Sequence, residues 1–389
     1  MSLANTAQSY GSVARGLHWL TALLILALIP LGFVANALPW DTPEALAAKA
    51  QVFSVHKTLG VALFFTALVR ILWAMTQPKP GPIHPERRVE TLATGAVHWA
   101  LYGAMVIVPL SGWVEHAATE GFAPILWPFG QGLPLVPKSE AVAGAAAGVH
   151  WLGGRVLMAA LALHVAGAVK HHFVDRDATL RRMWFGTTEG GSASRENWAP
   201  VVTALALWAA VLVAGVGLAP APQGAVGTTL APVASGWAVE DGTLSLSVTQ
   251  FGQTITGRFG TWTAAIEFDR ESGTGHVEVT VAIPSLTIGS VSKEAAAPLY
   301  FDAEGHPEAQ FVAEIAPEGE RYAANGTLTL KGKEVPVALP FTLTFDGEVA
   351  AMTGQVTLDR RDFGIGDPAD NTLGTVVAVE VNLTARRKP

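Results

Sequence analysis

The chain has 389 residues, of which 50% are hydrophobic and only 15% charged, and its mean hydropathy is +0.35. That is too apolar for an ordinary water-soluble protein, so membrane spans are the first expectation. It contains no cysteine, which excludes disulfides, Cys-ligated iron–sulfur clusters and covalent c-type haem attachment.

The charge is uneven along the chain. Residues 1–234 hold 14 Lys+Arg against 11 Asp+Glu, a net of +3, whereas residues 235–389 hold 11 against 21, a net of −10. The first part therefore reads as membrane and the second as acidic and water-facing, which argues against a nucleic-acid partner.

Five apolar runs are predicted to cross the bilayer as helices: Leu17–Leu38, His56–Met75, Leu92–Val114, His150–Phe173 and Pro200–Leu218. The first is too long for the apolar core of a cleaved signal peptide and reads as a retained span. Pro30 and Pro109 are tolerable inside membrane helices, where neighbours satisfy the freed carbonyls. Basic residues set the orientation. Arg15 precedes span one, Lys79, Arg87 and Arg88 lie between spans two and three, and Lys170, Arg176, Arg181, Arg182 and Arg195 follow span four. The amino terminus is thus expected in the cytoplasm of a bacterium. Five crossings then deliver the carboxyl half to the periplasm, so the protein reads as a multi-pass inner-membrane protein.

Residues 219–236, rich in Pro, Ala and Gly, form a predicted linker. Beyond it the pattern turns to period two, with strands predicted at Leu244–Val248, Gln253–Phe259, Ala264–Phe268, His276–Ile283 and Gln310–Ile315. Tyr322–Leu330, Val335–Phe345, Met352–Leu358 and Thr375–Leu383 continue the series. Eight or nine short strands predict a sandwich or an up-and-down barrel able to hold one small ligand.

Four histidines sort onto two levels of the helical part. His56 and His150 fall at the outer ends of spans two and four, and His18 and His164 fall toward the inner ends of spans one and four. Fourteen residues separate His150 from His164, which at about 100° per residue returns the second to nearly the same face, about 21 Å along the axis. An imidazole at membrane depth is expensive and is a functional signal by default. Two imidazoles per level on different helices suit two b-type haems with both axial positions filled by protein. Zinc prefers three or four ligands on one centre, and proton relays use carboxylates at depth, which these spans almost lack.

Arg70, fourteen residues after His56, lies level with the inner pair and would pair with a haem propionate or snorkel to headgroups. Arg155 would serve the outer haem in the same way. Lys57 beside His56 would draw an anion toward the outer level. His98 is a candidate for hydrogen bonding a quinone carbonyl or a propionate. Trp19, Trp99 and Trp151 read as membrane-belt aromatics, and His171 and His172 as a solvated turn.

The runs RGLHWL, FSVHKTLGVALFFTALVRILW, HWALYGAMVIVPLSGW and HWLGGRVLMAALALHVAGAVKHHF followed by LRRM resemble the bacterial cytochrome b561 family of four-helix di-haem membrane proteins, over residues 8–185. The resemblance implies His18, His56, His150 and His164 as axial ligands of two haem b groups. It also implies exchange of electrons with the quinone pool, and some members look like superoxide oxidases that reduce ubiquinone. The runs GRFGTWTAAIEFD, LTLKGKEVPVALPFTLTF and LDRRDFGIG, within 237–389, resemble the YceI-like family of periplasmic lipocalin-like barrels that bind polyisoprenoid chains. The chain departs from that family at VSKEAAAPLYFD, where basic residues are usual.

The expected architecture is an α-helical transmembrane bundle, a four-helix di-haem core plus a fifth helix, followed by an all-β lipocalin-like barrel. Residues 186–218 supply an inner segment and the fifth span, whose simplest role is to carry the chain across. The expected function is a membrane oxidoreductase passing single electrons between the quinone pool and a periplasmic donor or acceptor, with superoxide as a candidate donor and ubiquinone or a related isoprenoid quinone as acceptor. The tethered barrel would hold an isoprenoid lipid or quinone. The alternative is a membrane-anchored polyisoprenoid-binding module whose haem bundle feeds electrons to another periplasmic redox protein.

Overall fold

Each apolar run folds as a helix, and most extend beyond the run that announced them. In a computed structural model they are α1 (Ser12–Ala37), α2 (Pro43–Met75), α3 (Arg88–Ala118), α4 (Glu140–Phe173) and, after a short α5 (Thr179–Trp184), α6 (Ala199–Gly217). The structure describes residues 2–119, 121, 123–186, 198–218, 230–231, 233–289 and 291–388. Arg195 and most of the expected linker lie outside the described residues. Two units form: Met1–Asn36, Val52–Ala118 and Ile125–Ala221 make the first, and Ala37–Gln51, Thr119–Pro124 and Pro222–Pro389 the second.

The extra turns have a local cause. Residues 43–55 and 140–149 are alanine-rich, hence strongly helix-forming, but carry too few large apolar side chains to register as membrane runs. Both helices are capped at their starts. Thr42 Oγ1 accepts the Ala45 N–H with Pro43 in the first turn, and Ser139 Oγ accepts the Val142 N–H. At 34 residues α4 is about 50 Å long and overruns a hydrocarbon core of about 30 Å.

The bundle core joins Ile25 and Leu28 of α1, Leu63 and Ala67 of α2, Met105 and Val108 of α3, Leu157 of α4 and Trp208 of α6. The fifth span is thus part of the packing as well as a crossing. Trp208 is 4% exposed, and its indole N–H donates to Ala100 O at 3.1 Å. The ring fits because position 103 is glycine: a Cβ there would stand 2.2 Å from Trp208 Nε1. Helices in lipid associate through such close contacts at small residues.

At the end of the bundle nearer His18 and His164, a charge cluster ties the α2–α3 connection to the end of α4. Lys170 Nζ reaches Glu90 at 2.6 Å and Asp175 at 2.7 Å, Arg87 reaches Asp175 at 3.1 Å, and His171 Nδ1 reaches Asp177 at 2.7 Å. Hydrogen bonds from Lys170 and then Arg87 hold the Asp175 carboxyl down to a pKa of about 2. His171 is therefore half-buried in an ion network and not in a solvated turn as expected, while His172 is exposed.

The second unit is an all-antiparallel barrel of β1 (Trp237–Gln250), β2 (Gln253–Phe259), β3 (Trp262–Asp269), β4 (Thr274–Ala282), β5 (Leu286–Ile288), β6 (Glu308–Glu318), β7 (Arg321–Leu330), β8 (Lys333–Asp346), β9 (Val349–Asp359) and β10 (Leu373–Arg387). β1 pairs with β10 from Trp237↔Arg387 to Gln250↔Leu373 and closes it. β2 and β3 form one lane with a jog, and so do β4 and β5, which gives an eight-lane barrel. Buried Ser285 fixes the jog by accepting the Thr261 N–H and donating to Ala282 O. The first half of β1 and all of β5 were not predicted as strands. Glu240, Asp241 and Gly242 break the alternation in β1, and β5 has only three residues.

Replacing Gly103 by Leu should push Trp208 out of its seat. The expected result is a loss of about 1–3 kcal/mol, the usual range for overpacking, read as a lower unfolding temperature of the detergent-solubilised protein. An unchanged temperature would mean that α6 is not held through this contact.

Candidate functional site

The four membrane histidines face one another in two pairs. At the outer level, His56 of α2 and His150 of α4 have ring centroids 6.3 Å apart. His150 Nδ1 lies 2.8 Å from Val108 O, so it carries the proton and donates, leaving the Nε2 lone pair available. The ring approaches α3 closely because position 112 is glycine, where a Cβ would lie 2.9 Å from ring atoms. A similar device serves His56. A Cβ at Gly32 of α1 would lie 3.2 Å from its Cε1, and its buried Nδ1 sits near the Leu28 carbonyl without a well-formed hydrogen bond. Gly32 follows Leu28 by four residues as Gly112 follows Val108, so in both helices the notch and the carbonyl share one face.

At the inner level, His18 of α1 and His164 of α4 have ring centroids 6.1 Å apart. His98 of α3 joins them, its centroid 5.1 Å from that of His164. Arg70 is turned into the bundle and does not snorkel. Its Nη2 stands 3.3 Å from His18 Nδ1, its Nη1 3.7 Å from Met105 Sδ, and its Cζ 5.3 Å from the Tyr102 ring centroid. A guanidinium has only donors, so it donates to the Nδ1 of His18.

Lys57 is half-buried, and its Nζ lies 3.3 Å from His116 Nδ1. His116 Nε2 in turn meets Gln131 Oε1 at 2.9 Å. His116 was missed in the sequence because it stands past the apolar run, beside Glu115. The available signal was its place one turn after Gly112, on the face of α3 that meets His150. Arg155 is exposed and stacks on Trp151, with Cζ 3.3 Å from the ring centroid and Nη1 donating to Trp151 O. Its contacts among the described residues include neither pair.

The spacing of the pairs fits a metal held between them. Two metal–imidazole bonds of about 2 Å each, plus the distance from each nitrogen to its ring centre, come to about 6 Å. Both pairs have that separation, with apolar helix faces around them, as a porphyrin with two protein ligands requires.

The barrel encloses a cavity of about 290 Å3, walled by side chains such as Leu246, Val279, Phe311, Leu339 and Met352. Arg360, 2% exposed at its edge, has its guanidinium taken up by carbonyls of Ile365, Asp367, Leu373 and Gly374. It pins the 363–374 segment and offers nothing to the cavity.

Residues 9–186 match the family model for prokaryotic cytochrome b561, and residues 237–385 match that for the YceI-like domain. Cytochrome b561 homolog 2 of Escherichia coli (strain K12) is 32% identical over 188 residues, which is 47% of this chain and 95% of that protein. The protein named Probable superoxide oxidase CybB, from Yersinia pestis, is 25% identical over 183 residues, covering 45% and 96%. The crystal structure of Burkholderia cenocepacia BcnA is 26% identical, covers 37% of this chain and 95% of its own, and superposes with a TM-score of 0.36. Haem b is the cofactor that this family implies. The chain belongs to the prokaryotic cytochrome b561 family of multi-pass membrane electron-transfer proteins, joined at its carboxyl end to a YceI-like β-barrel domain.

Proposed function

We propose that the protein binds two haem b groups, His56 with His150 at the outer level and His18 with His164 at the inner, and moves single electrons between the quinone pool and a periplasmic donor. The observation that carries this is the two imidazole pairs, with ring centroids 6.3 and 6.1 Å apart, on different helices. Haem b with both axial positions filled by protein supplies a reversible one-electron couple and leaves no iron position open for oxygen. Residues 8–185 form the haem domain, 186–218 the inner segment and fifth crossing, 219–236 the linker, and 237–389 the barrel domain. The excess of Lys and Arg in the connections after spans two and four supports an amino terminus in the cytoplasm and a barrel in the periplasm.

The chain's own residues divide the work. Val108 O fixes the tautomer of His150, so that its Nε2 is the ligating atom. Arg70 donates to His18 Nδ1, so His18 would offer its Nε2 as a ligand with Arg70 paired elsewhere, and a haem propionate would be a fitting acceptor for that guanidinium. His98, beside His164, would donate to a propionate or a quinone carbonyl. Lys57, with His116 next to it, places positive charge at the outer level and attracts a small anion. Arg155, stacked on Trp151 at the surface, belongs to the headgroup zone.

Superoxide is the donor that this charge favours, and the likeness to the Yersinia pestis protein supports it. Two superoxide anions each lose one electron and leave as dioxygen, while one ubiquinone gains two electrons and two protons. The apolar barrel cavity supports the companion reading that the second domain holds an isoprenoid chain, whether lipid or quinone.

Two measurements test this. Haem stoichiometry and the reduced-minus-oxidised spectrum should show two haems per chain, falling to about one in His56→Ala and in His164→Ala, with a different haem lost in each. Unchanged stoichiometry in either would overturn the ligand assignment. Reconstituted protein given a steady source of superoxide and a water-soluble quinone should reduce the quinone, and His56→Ala should not. Fully haem-loaded protein that leaves the quinone oxidised would remove superoxide as the donor.

A further inference from the structure

Part of the barrel unit, including Ala37–Gln51, comes from outside the barrel sequence. Leu46 stands in the first turn of α2, held by the Thr42 cap described above, and it belongs to the same compact unit as the strands. A leucine near the start of a helix gains nothing for the helix by being buried. This one is 2% exposed, and it packs with Ile283, Tyr300, Phe363 and Ile365 of the barrel unit, with Trp40 alongside. Leu46 also lines the barrel cavity.

With Leu46 in place the cavity measures about 290 Å3. Pockets for drug-sized ligands span about 300–1,000 Å3, so this space is at the lower bound and is small for a long chain. Its walls hold almost no polar surface. Such a space stays dry and favours apolar occupants.

We infer that Leu46 is the stopper of the barrel site: it sets the longest isoprenoid chain taken with the Ala37–Gln51 segment closed, and longer chains bind only by displacing it. The inference rests on the reading that the barrel takes an isoprenoid chain. Each added isoprene unit gains apolar burial until the chain meets Leu46. Beyond that point the gain is offset by expelling one leucine side chain from a packed site.

The test uses the full-length protein in nanodiscs, titrated with geraniol, farnesol and geranylgeraniol against empty nanodiscs. Leu46→Ala should raise the affinity for geranylgeraniol by about tenfold, the lower bound for the burial of one leucine side chain. It should leave geraniol within about twofold of the unaltered protein, and Leu46→Met should restore the original length dependence. An equal change at all three lengths would mark a general loosening of the barrel and overturn the stopper. No change at any length would do the same. If none of the alcohols binds any variant, the isoprenoid reading of the barrel fails first and takes the stopper with it.

Discussion

An imidazole inside an apolar helix bundle must meet a partner, because water is absent and an unsatisfied ring nitrogen costs several kcal/mol of desolvation. That constraint orders the membrane half. α4 supplies one histidine to each level, α2 the second at the outer level and α1 the second at the inner. The notches at Gly32 and Gly112 let the outer rings lie against helix backbones, where carbonyls stand ready for Nδ1. A Cβ at either position would press on the facing imidazole, so these glycines help to seat the two histidines.

The two levels solve the same problem differently. At the His56–His150 level, a backbone carbonyl orients His150 and leaves its Nε2 free, while His56 lies near a second carbonyl. Inside, an arginine donates to His18, and a third histidine crowds His164. A backbone carbonyl fixes a tautomer permanently, whereas a long charged side chain can change partner. One level therefore holds a guanidinium in contact with a histidine of the proposed haem site, and the other holds Lys57, the residue after His56, against His116. With haem bound as proposed, such placement in a low-dielectric interior would shift the relative stability of the oxidised and reduced forms, and differently at the two levels.

Much of this was legible in the sequence, for physical reasons that can be named. Apolar runs announce spans, and rare ionisable residues within them announce chemistry, so the helices and the four paired histidines could be read. The starts of α2 and α4 could not, because alanine extends a helix without making it apolar enough to stand out. Arg155 was expected beside the outer pair and instead stacks on Trp151, and His116 was not singled out. For a long side chain on a helix surface, rotamer and neighbours decide its direction, and Arg155 finds Trp151 before it finds either pair. Period-two alternation gave the barrel, but the jogs at β2–β3 and β4–β5 depend on Ser285, a single buried hydroxyl. The fifth span looked like a carrier because it has no histidine and lies outside the expected four-helix core, and its packing role lies in a glycine on another helix.

The same contrast separates the two halves of the molecule. In lipid there is no hydrophobic drive between helices, so the bundle is specified by small residues, one buried indole and polar contacts that must be met. The barrel is specified by apolar volume instead, with Arg360 fully engaged in holding its own loop. A redox site selects by the placement of donors and charge, and a greasy cavity selects by length and cross-section. A cavity walled almost wholly by apolar side chains has chiefly one lever for telling one chain from another, which is where it ends. Selectivity in the second half then falls to whichever side chain closes the space, and mutations that alter polar groups around its rim will matter less than a change of one methyl group at the stop.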